Sequence, residues 1–142
     1  MSELVLSGMP GHLIRRLSQH SSQIFNARMT ALGYDLTSVQ FAALQVISEK
    51  PGIDQAGLAA QIAYDRATIG GVVLRLVKKE FVKREVDSSD RRARNLWLTP
   101  VGSDIVSRVC PIVQELQSDI LFPLTQDERN RFIEMVNKVI AT

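Results

Sequence analysis

The sequence predicts a mainly α-helical fold with one small β-hairpin. Apolar residues recur at steps of three and four along most of the 142 residues, which is the period of an amphipathic helix. Only between residues 82 and 98 does the spacing change to two, the period of a strand. Residues suited to cap helices stand before several of the apolar runs. These patterns describe one domain of helices, over residues 1–142, interrupted by a single hairpin.

Two longer helices are predicted first. The first covers residues 11–32 and ends at Gly33, and its apolar stripe comprises Leu13, Leu17, Phe25, Met29 and Leu32. The second opens with TSVQ at residues 37–40, a capping box in which the Thr and Gln side chains accept from orphan backbone N–H groups. It runs to about Glu49, before the turn signal of Pro51 and Gly52.

Two short helices with a tight turn between them follow. Asp54 can cap the first, which turns Leu58 and Ile62 inward. After a break at residues 63–65, the second places Ile69, Val72, Val73 and Leu76 on one face. Its polar residues lie off that face, so the pair is a helix-turn-helix.

A hairpin comes directly after this pair. Val82, Arg84 and Val86 alternate with charged residues, Leu96 and Leu98 flank Trp97, and the tip spans 87–94. The tip holds three arginines in four residues, Arg91, Arg92 and Arg94. A helix-turn-helix followed by a hairpin is a winged helix, here predicted over about 36–99.

The remaining helices, about 10–33 and 100–142, are predicted to form a dimer. Thr99 caps a helix with Pro100 at its first position, Pro111 inside it should produce a kink, and a second capping box opens at Thr125. The winged-helix core closes on itself, so the apolar stripes at both ends of the chain need another surface. A two-fold dimer supplies one and sets two recognition helices about one DNA turn apart, suited to a pseudo-palindromic site in double-stranded DNA.

Charge and composition narrow the function further. The segment from Arg75 to Arg94 holds eight basic and four acidic residues, for a net charge of +4, and the other 122 residues sum to −2. Such local positive charge is the pattern expected of a nucleic-acid partner. A single cysteine suits a reducing compartment, and residues 1–16 do not read as a signal peptide. With no apolar run of about 18 residues that could span a membrane, we expect a cytoplasmic protein.

These segments together resemble the MarR-type bacterial transcriptional regulators, over essentially the whole chain. The resemblance is carried by LTSVQFAALQVI, by IDQAGLAAQIAYDRATIGGVVLRLVKKEFVKRE and, most specifically, by DSSDRRARNLWLTPVG. It implies a homodimer with a winged-helix DNA-binding lobe and N- and C-terminal dimerisation helices. It also implies a regulator, most often a repressor, that is released by a small ligand, commonly an aromatic or phenolic acid.

The resemblance assigns roles in the wing. Asp90 and Arg92 match an Asp-x-Arg motif in which the arginine enters the minor groove while the aspartate helps to hold it. A narrow minor groove has a strong negative potential that favours a guanidinium. Arg91 and Arg94 are expected on phosphates. The alternative is a solvated charged turn, although such a tip repels itself unless it is neutralised.

Docking in the major groove gives roles to the recognition helix. Its first turn, Arg66, Ala67 and Thr68, is expected at base edges, with Asp65 as a cap or as a group that orients an arginine. Arg75 and Lys79 are expected on phosphates. Gly70 and Gly71 each cost about 1 kcal/mol relative to alanine inside a helix, which close approach to a neighbouring helix or to DNA would explain. For Thr37, Ser38 and Gln40 there are two alternatives, which are capping of the helix and contact with a phosphate.

A ligand site is predicted on the first helix. HLIRRLSQH supplies His12, Arg15, Arg16 and His20. Arginine is a natural clamp for a carboxylate, and Arg16 and His20 lie one turn apart on one face. The arrangement resembles the branch of the family that senses aromatic carboxylates or their coenzyme A thioesters. The alternative is an intersubunit ion pair at Arg16 and a surface position for His20.

Other function classes find less support in the sequence. Cys110 could make the chain a redox-sensing regulator, but no cationic residue stands near it to favour a thiolate. His12 and His20 have no further ligand at metal-binding spacing, and no catalytic set or cofactor motif is present, so we expect no enzyme, metal or cofactor. A winged-helix protein–protein adaptor remains the alternative from another class, although it would not need arginines on both wing and recognition helix.

Overall fold

The computed structural model describes residues 5–141, so the outermost residues of the predicted domain, 1–4 and 142, lie outside it. After a 3-10 turn at Leu6–Gly8, the elements follow in the order α1 (Pro10–Ala31), α2 (Ser38–Glu49), α3 (Gln55–Gln61), α4 (Arg66–Lys78), β1 (Val82–Val86), β2 (Arg94–Leu98), α5 (Pro100–Ile120) and α6 (Gln126–Ile140). This confirms the mainly helical fold with one hairpin.

Short polar side chains start the helices as the sequence predicts. Thr37 closes a capping box with Gln40, whose backbone N–H donates to the Thr37 hydroxyl over 3.2 Å. Asp54 accepts from the backbone N–H of Gly57 over 2.7 Å, and Thr99 and Thr125 cap α5 and α6 in the same manner. Each such bond satisfies a backbone donor that has no partner inside the helix.

The core lies where α2, α4, β1, β2 and α5 meet. The apolar face predicted for α4 is buried there together with Leu44 and Ile47 of α2, Leu96 of β2 and Val109 of α5. From α1 only Phe25 and Met29 are buried, so α1 joins this core through its C-terminal half. One continuous core therefore holds the recognition helix and the hairpin in fixed positions relative to each other.

The hairpin is anchored by a third extended segment that the sequence analysis missed. β1 and β2 pair antiparallel from Val82 opposite Leu98 to Val86 opposite Arg94. On the far side of β2, the Gly52 N–H donates to the Leu96 carbonyl over 2.8 Å, and the Leu96 N–H donates to the Ile53 carbonyl over 2.9 Å. This segment forms only an isolated bridge, between Asp54 and Asn95, which is too short to show a period of two.

The start of α5 explains the glycine of the Leu-Thr-Pro-x-Gly motif. Gly102 is buried, and a Cβ added there would overlap the carbonyl group of Phe81. The Thr99 hydroxyl donates to the Glu80 carbonyl over 2.5 Å, which holds the same two segments together. α5 then continues through Pro111 as one helix to Ile120.

Both ends of the chain expose large apolar side chains. The predicted stripe of α1 is only partly buried, because Leu13, Ile14 and Leu32 lie 43–64% exposed. α6 buries none of its residues, and Met135, Val139 and Ile140 are exposed by more than half. Within residues 5–141 these side chains therefore leave a large apolar area exposed. None of the described helices combines the length and the apolar character needed to cross a bilayer.

Candidate nucleic-acid interface

The N-terminus of the recognition helix α4 is fixed by Asp65. One carboxylate oxygen accepts from the backbone N–H of Thr68 and the other from its hydroxyl, both over 2.8 Å. These two bonds hold the pKa of Asp65 below its usual value. The Thr68 hydroxyl is therefore used in capping, which leaves its methyl group for any contact with a base, and Asp65 acts as the predicted cap.

The face of α4 opposite the core is open. Arg66, Ala67, Gly71, Leu74 and Arg75 are all exposed along it, while every residue that α4 buries lies on the other side. Residues four apart on a helix share a face. Arg66 and Arg75 are nine positions apart and flank this outward side, with the uncharged residues Ala67, Gly71 and Leu74 between them.

The tip of the wing is folded by Asp87, a residue the sequence analysis did not assign. One of its carboxylate oxygens accepts from the backbone N–H and the hydroxyl of Ser89, over 2.7 and 2.6 Å, and from the Asp90 N–H over 3.3 Å. The other accepts from the Asn95 amide over 2.9 Å. These bonds, led by that of the Ser89 hydroxyl, hold the pKa of Asp87 far below its ordinary value. The Asp-Ser-Ser sequence at a turn is the signal that points to such an Asx turn.

Asp90 and Arg94 shape the rest of the tip. Asp90 accepts from the backbone N–H of Arg92 over 3.0 Å, so it positions the Arg92 backbone and leaves the guanidinium free of this carboxylate. The Arg94 guanidinium donates to the carbonyl of Arg91 over 2.7 Å. The tip is therefore a defined loop held by its own side chains.

The wing and the recognition helix share a cleft. Arg66 of α4 lines it together with Arg92 and Arg94 of the wing, opposite the start of α3 at Asp54, Gln55 and Ala56. The cleft encloses about 190 Å³. Three arginines against the single carboxylate of Asp54, which also caps α3, give the lining of this cleft an excess of positive charge. Arg91 is exposed and does not line it.

Lys79, which is expected on a phosphate, and Gln40, for which capping and phosphate contact are both open, make contacts inside the chain. The Lys79 ammonium donates to the Asp35 carbonyl over 2.5 Å and to Oε1 of Gln40 over 3.0 Å, and lies 3.5 Å from the Asp35 carboxylate. Gln40 is buried and its side chain completes the capping box, which is the capping alternative for this residue. Thr37 caps α2 through its hydroxyl, and only Ser38 keeps an exposed side chain at this helix start. Sequence patterns could not reveal a bond between residues so far apart in the chain.

The four residues of the predicted ligand site lie along α1, and they line neither the cleft at the wing nor a second, larger cavity. Arg15 and Arg16 are exposed, and His12 is half-buried. Nε2 of His20 lies 3.1 Å from the carbonyl of Ile120, where it links α1 to the end of α5. A cavity of about 310 Å³ lies elsewhere and contains none of the four; it is lined by Gly33, Tyr34, Asp35, Leu36, Lys79, Phe81 and Ile105. Cys110 is half-buried against the core.

Comparisons with known proteins agree with this architecture. Residues 36–93 match the model of the MarR family. The transcriptional regulator HosA of Escherichia coli O157:H7 is 30% identical over 92% of this chain and 94% of its own length.

Solved structures superpose along nearly the whole chain. BpsR of Bordetella bronchiseptica, whose DNA binding is regulated by 6-hydroxynicotinic acid, has a TM-score of 0.87 at 26% identity, with 99% of both chains covered. A variant of E. coli MarR complexed with operator DNA has a TM-score of 0.85 at 28% identity, covering 97% of this chain and 99% of that one. On sequence, fold and winged-helix architecture together, this chain belongs to the MarR family of transcriptional regulators.

Proposed function

We propose that this protein is a homodimeric repressor that binds a pseudo-palindromic operator and is released by a small aromatic carboxylate or its thioester. The observation that carries the proposal is the cleft in which Arg66 of the recognition helix meets Arg92 and Arg94 of the wing. A helix in the major groove and a wing in the adjacent minor groove must be separated by one sugar-phosphate backbone. Arginines on both sides of that backbone can bind the bases of the two grooves and the phosphates between them.

The division of labour among these arginines follows from their surroundings. Arg94 is tied to the Arg91 carbonyl, so it acts as a fixed positive group towards a phosphate. The Arg92 backbone is held by Asp90 while its guanidinium makes no hydrogen bond or ion pair to residues 5–141. That side chain is the one suited to enter a minor groove, where negative potential favours arginine. Arg66, in the first turn of α4, is suited to the O6 and N7 atoms of a guanine.

The two exposed apolar ends support dimerisation. Val5, Leu6, Leu13 and Ile14 at the N-terminal end and Phe122, Met135, Val139 and Ile140 at the C-terminal end expose large apolar side chains. Apolar surface of this extent favours burial against another surface. A second copy offers the same faces, and the two-fold pairing places two winged-helix lobes on one duplex.

The effector class rests on α1 and on a relative. Arg15 and Arg16 present two exposed guanidiniums beside His12 on the same helix. In a dimer whose apolar ends are covered, such groups become partly enclosed, and a planar carboxylate is the ligand that arginine binds best. BpsR responds to 6-hydroxynicotinic acid, an aromatic carboxylate. Binding of this effector between the dimerisation helices and the winged-helix lobes would favour a separation of the two recognition helices that no longer fits DNA.

A binding assay tests the DNA-binding function. Duplexes are selected by the wild-type protein from a random-sequence pool, and their affinity is measured over a range of salt concentrations. We expect a steep fall in affinity with salt, because several phosphates are neutralised. Arg92→Ala should lower the affinity at least tenfold, whereas Arg108→Ala on α5, which removes the same charge from an exposed intrahelical pair with Asp104, should not. If the affinity changed neither with salt concentration nor with Arg92→Ala, the alternative of a winged-helix protein–protein adaptor would be favoured instead.

A further inference from the structure

The recognition helix α4 carries two adjacent glycines, Gly70 and Gly71, in its interior. Glycine weakens a helix interior because it loses more backbone freedom on folding than any other residue. The chain itself shows one good reason to keep a helical glycine, since Gly102 sits directly against the Phe81 carbonyl. No such reason holds for Gly70 and Gly71: a Cβ on either would meet no atom of a neighbouring segment within 4 Å. Packing inside the subunit therefore does not account for the pair.

Gly71 is exposed on the outward side of α4, and Gly70 lies half-buried at the edge of that side. Gly70 lies one helical turn after Arg66, which lines the cleft shared with the wing, and one turn before Leu74. Leu74 is 46% exposed although it is a large apolar residue in the middle of a helix. A bare stretch of backbone and an unburied leucine thus lie on the surface that Arg66 turns towards the cleft.

The chemistry of this surface restricts what it can read. Glycine has no side chain, leucine offers no hydrogen-bonding group, and backbone N–H groups beyond the first turn are used within the helix. The base edges of the major groove carry donors and acceptors at every pair, but only thymine adds an apolar group, its C5 methyl. The partner that matches an apolar surface without donors is therefore a thymine methyl.

We infer that Gly70, Gly71 and Leu74 are specificity-determining residues: the glycines let the α4 backbone approach the base edges, and the surface they form with Leu74 requires thymine opposite it. This rests on the DNA-binding function proposed above and adds a base preference to it. Arginines read guanine and phosphate at the start of the helix, and the centre of the helix reads thymine by close apolar contact. The lower stability of α4 is then linked to a closer fit with DNA.

Replacing either glycine by alanine should stabilise the fold but weaken the binding of DNA. Gly70→Ala and Gly71→Ala should each raise the Tm by a few degrees, because alanine is the better helix former and no atom obstructs its Cβ. Each should also lower the affinity for the best duplex selected by the wild-type protein at least tenfold, because the Cβ holds the helix away from the bases. Gly11→Ala in α1 is the matched control, since Gly11 is a helical glycine with equally empty surroundings. It should leave the affinity unchanged.

Replacing thymine by uracil, one position at a time in that duplex, tests the base preference directly, since it removes only the methyl group. Wild-type affinity should fall about threefold at one or two positions per half-site, as expected for loss of one small apolar contact. Leu74→Ala should reduce or abolish that fall. Sensitivity to uracil that is absent, or that is identical in Leu74→Ala, would overturn the thymine assignment.

The possible results distinguish a failure of this inference from a failure of the proposed operator binding. If the wild-type protein selects no sequence over random duplex, the proposed operator binding fails and the inference falls with it. If the wild-type protein selects a tight duplex but Gly70→Ala and Gly71→Ala bind it equally well, the operator function stands and only the role of the glycines is wrong.

Discussion

The ammonium group of Lys79, at the C-terminal end of the recognition helix, donates a 3.0 Å hydrogen bond to Oε1 of Gln40, in the capping box of α2. The same oxygen accepts from the backbone N–H of Thr37, and Lys79 also binds the Asp35 carbonyl. One side chain therefore ties the end of α4 to the connection between α1 and α2. Lys79 therefore links α4 directly to the segment that joins α1, a proposed dimerisation helix, to the winged-helix lobe.

Removing the ammonium should loosen this tie. We expect Lys79→Met to lower the free energy of unfolding by about 1.5–3 kcal/mol, the range for hydrogen bonds from a charged group. Denaturant unfolding of purified protein measures it. Lys78→Met is the matched control, because the Lys78 side chain is exposed and makes no ion pair or hydrogen bond within residues 5–141. This control should change the free energy of unfolding by less than about 0.5 kcal/mol. Equal effects of the two substitutions would contradict a structural role for the Lys79 contacts.

Gly102 should tolerate no side chain. A methyl group there overlaps the Phe81 carbonyl, and because both partners are backbone, relief requires α5 to move away from the hairpin. We expect Gly102→Ala to destabilise the protein by about 3 kcal/mol or to prevent folding, towards the upper end for overpacking. Thermal unfolding measures the loss. Ser103→Ala, at the neighbouring exposed position, should leave the Tm nearly unchanged.

Glu80 should be improved by glycine. Its φ of 63° lies in the left-handed region, which costs a residue with a Cβ roughly 1–2 kcal/mol. Glu80→Gly should therefore raise the free energy of unfolding by about 1 kcal/mol. Glu80→Ala removes the same carboxylate but keeps the Cβ, and it should give no comparable gain. A similar gain from both would mean that the charge, and not the backbone conformation, is responsible.

Asp87 should control the order of the wing without controlling the fold. Asp87→Ala removes the acceptor of four hydrogen bonds at an exposed tip, so we expect operator affinity to fall at least tenfold with little change in Tm. Amide spectra of Ser89 and Asp90 should change, whereas those of the buried residues of α4 should not. A large loss of Tm would instead place Asp87 in the support of the whole lobe.

The lowered pKa of Asp87 fixes the sign of its pH dependence. Its contribution is complete above the ordinary aspartate value of about 3.9 and is lost only as pH falls below it towards the folded-state pKa. The Ser89 and Asp90 amide signals should therefore stay constant from pH 8 down to about pH 4, and should move only well below it, as the folded-state pKa of Asp87 is approached. Movement of these signals near pH 6 would show that another group governs the turn.

What the sequence predicted well is local. The caps at Thr37, Asp54 and Thr99 depend on residues within one turn, so their pattern is visible in the chain. The buried face of α4 follows from its helical period. What it missed depends on distant partners: the Lys79–Gln40 bond spans 39 positions, and Ile53 pairs with a strand 43 residues later. The same limit applies to α1, whose period shows an apolar stripe but not which half meets this subunit's core.

The same distinction between local patterns and contacts of distant residues applies to the candidate site. Arginines at the wing tip and at the start of α4 could be named from the sequence, but their arrangement around one cleft required the fold. The DNA contacts of individual residues, the ligand role of the α1 residues and any redox role of Cys110 stay predictions. The Asp-Ser-Ser turn signal at Asp87 is visible in the sequence, but it does not show that this carboxylate accepts four hydrogen bonds, including one from Asn95 eight positions later.

The pairing of Ile53 with β2 has a consequence for how tightly the wing can grip. A two-stranded hairpin on its own is barely stable in water, and a loose one must be immobilised whenever it docks. Here the bonds to Gly52 and Ile53 stiffen the hairpin in advance, and Asp87 does the same for its tip. Less conformational entropy is then left to lose on association, so more of the attraction between the arginines and their target is retained as affinity.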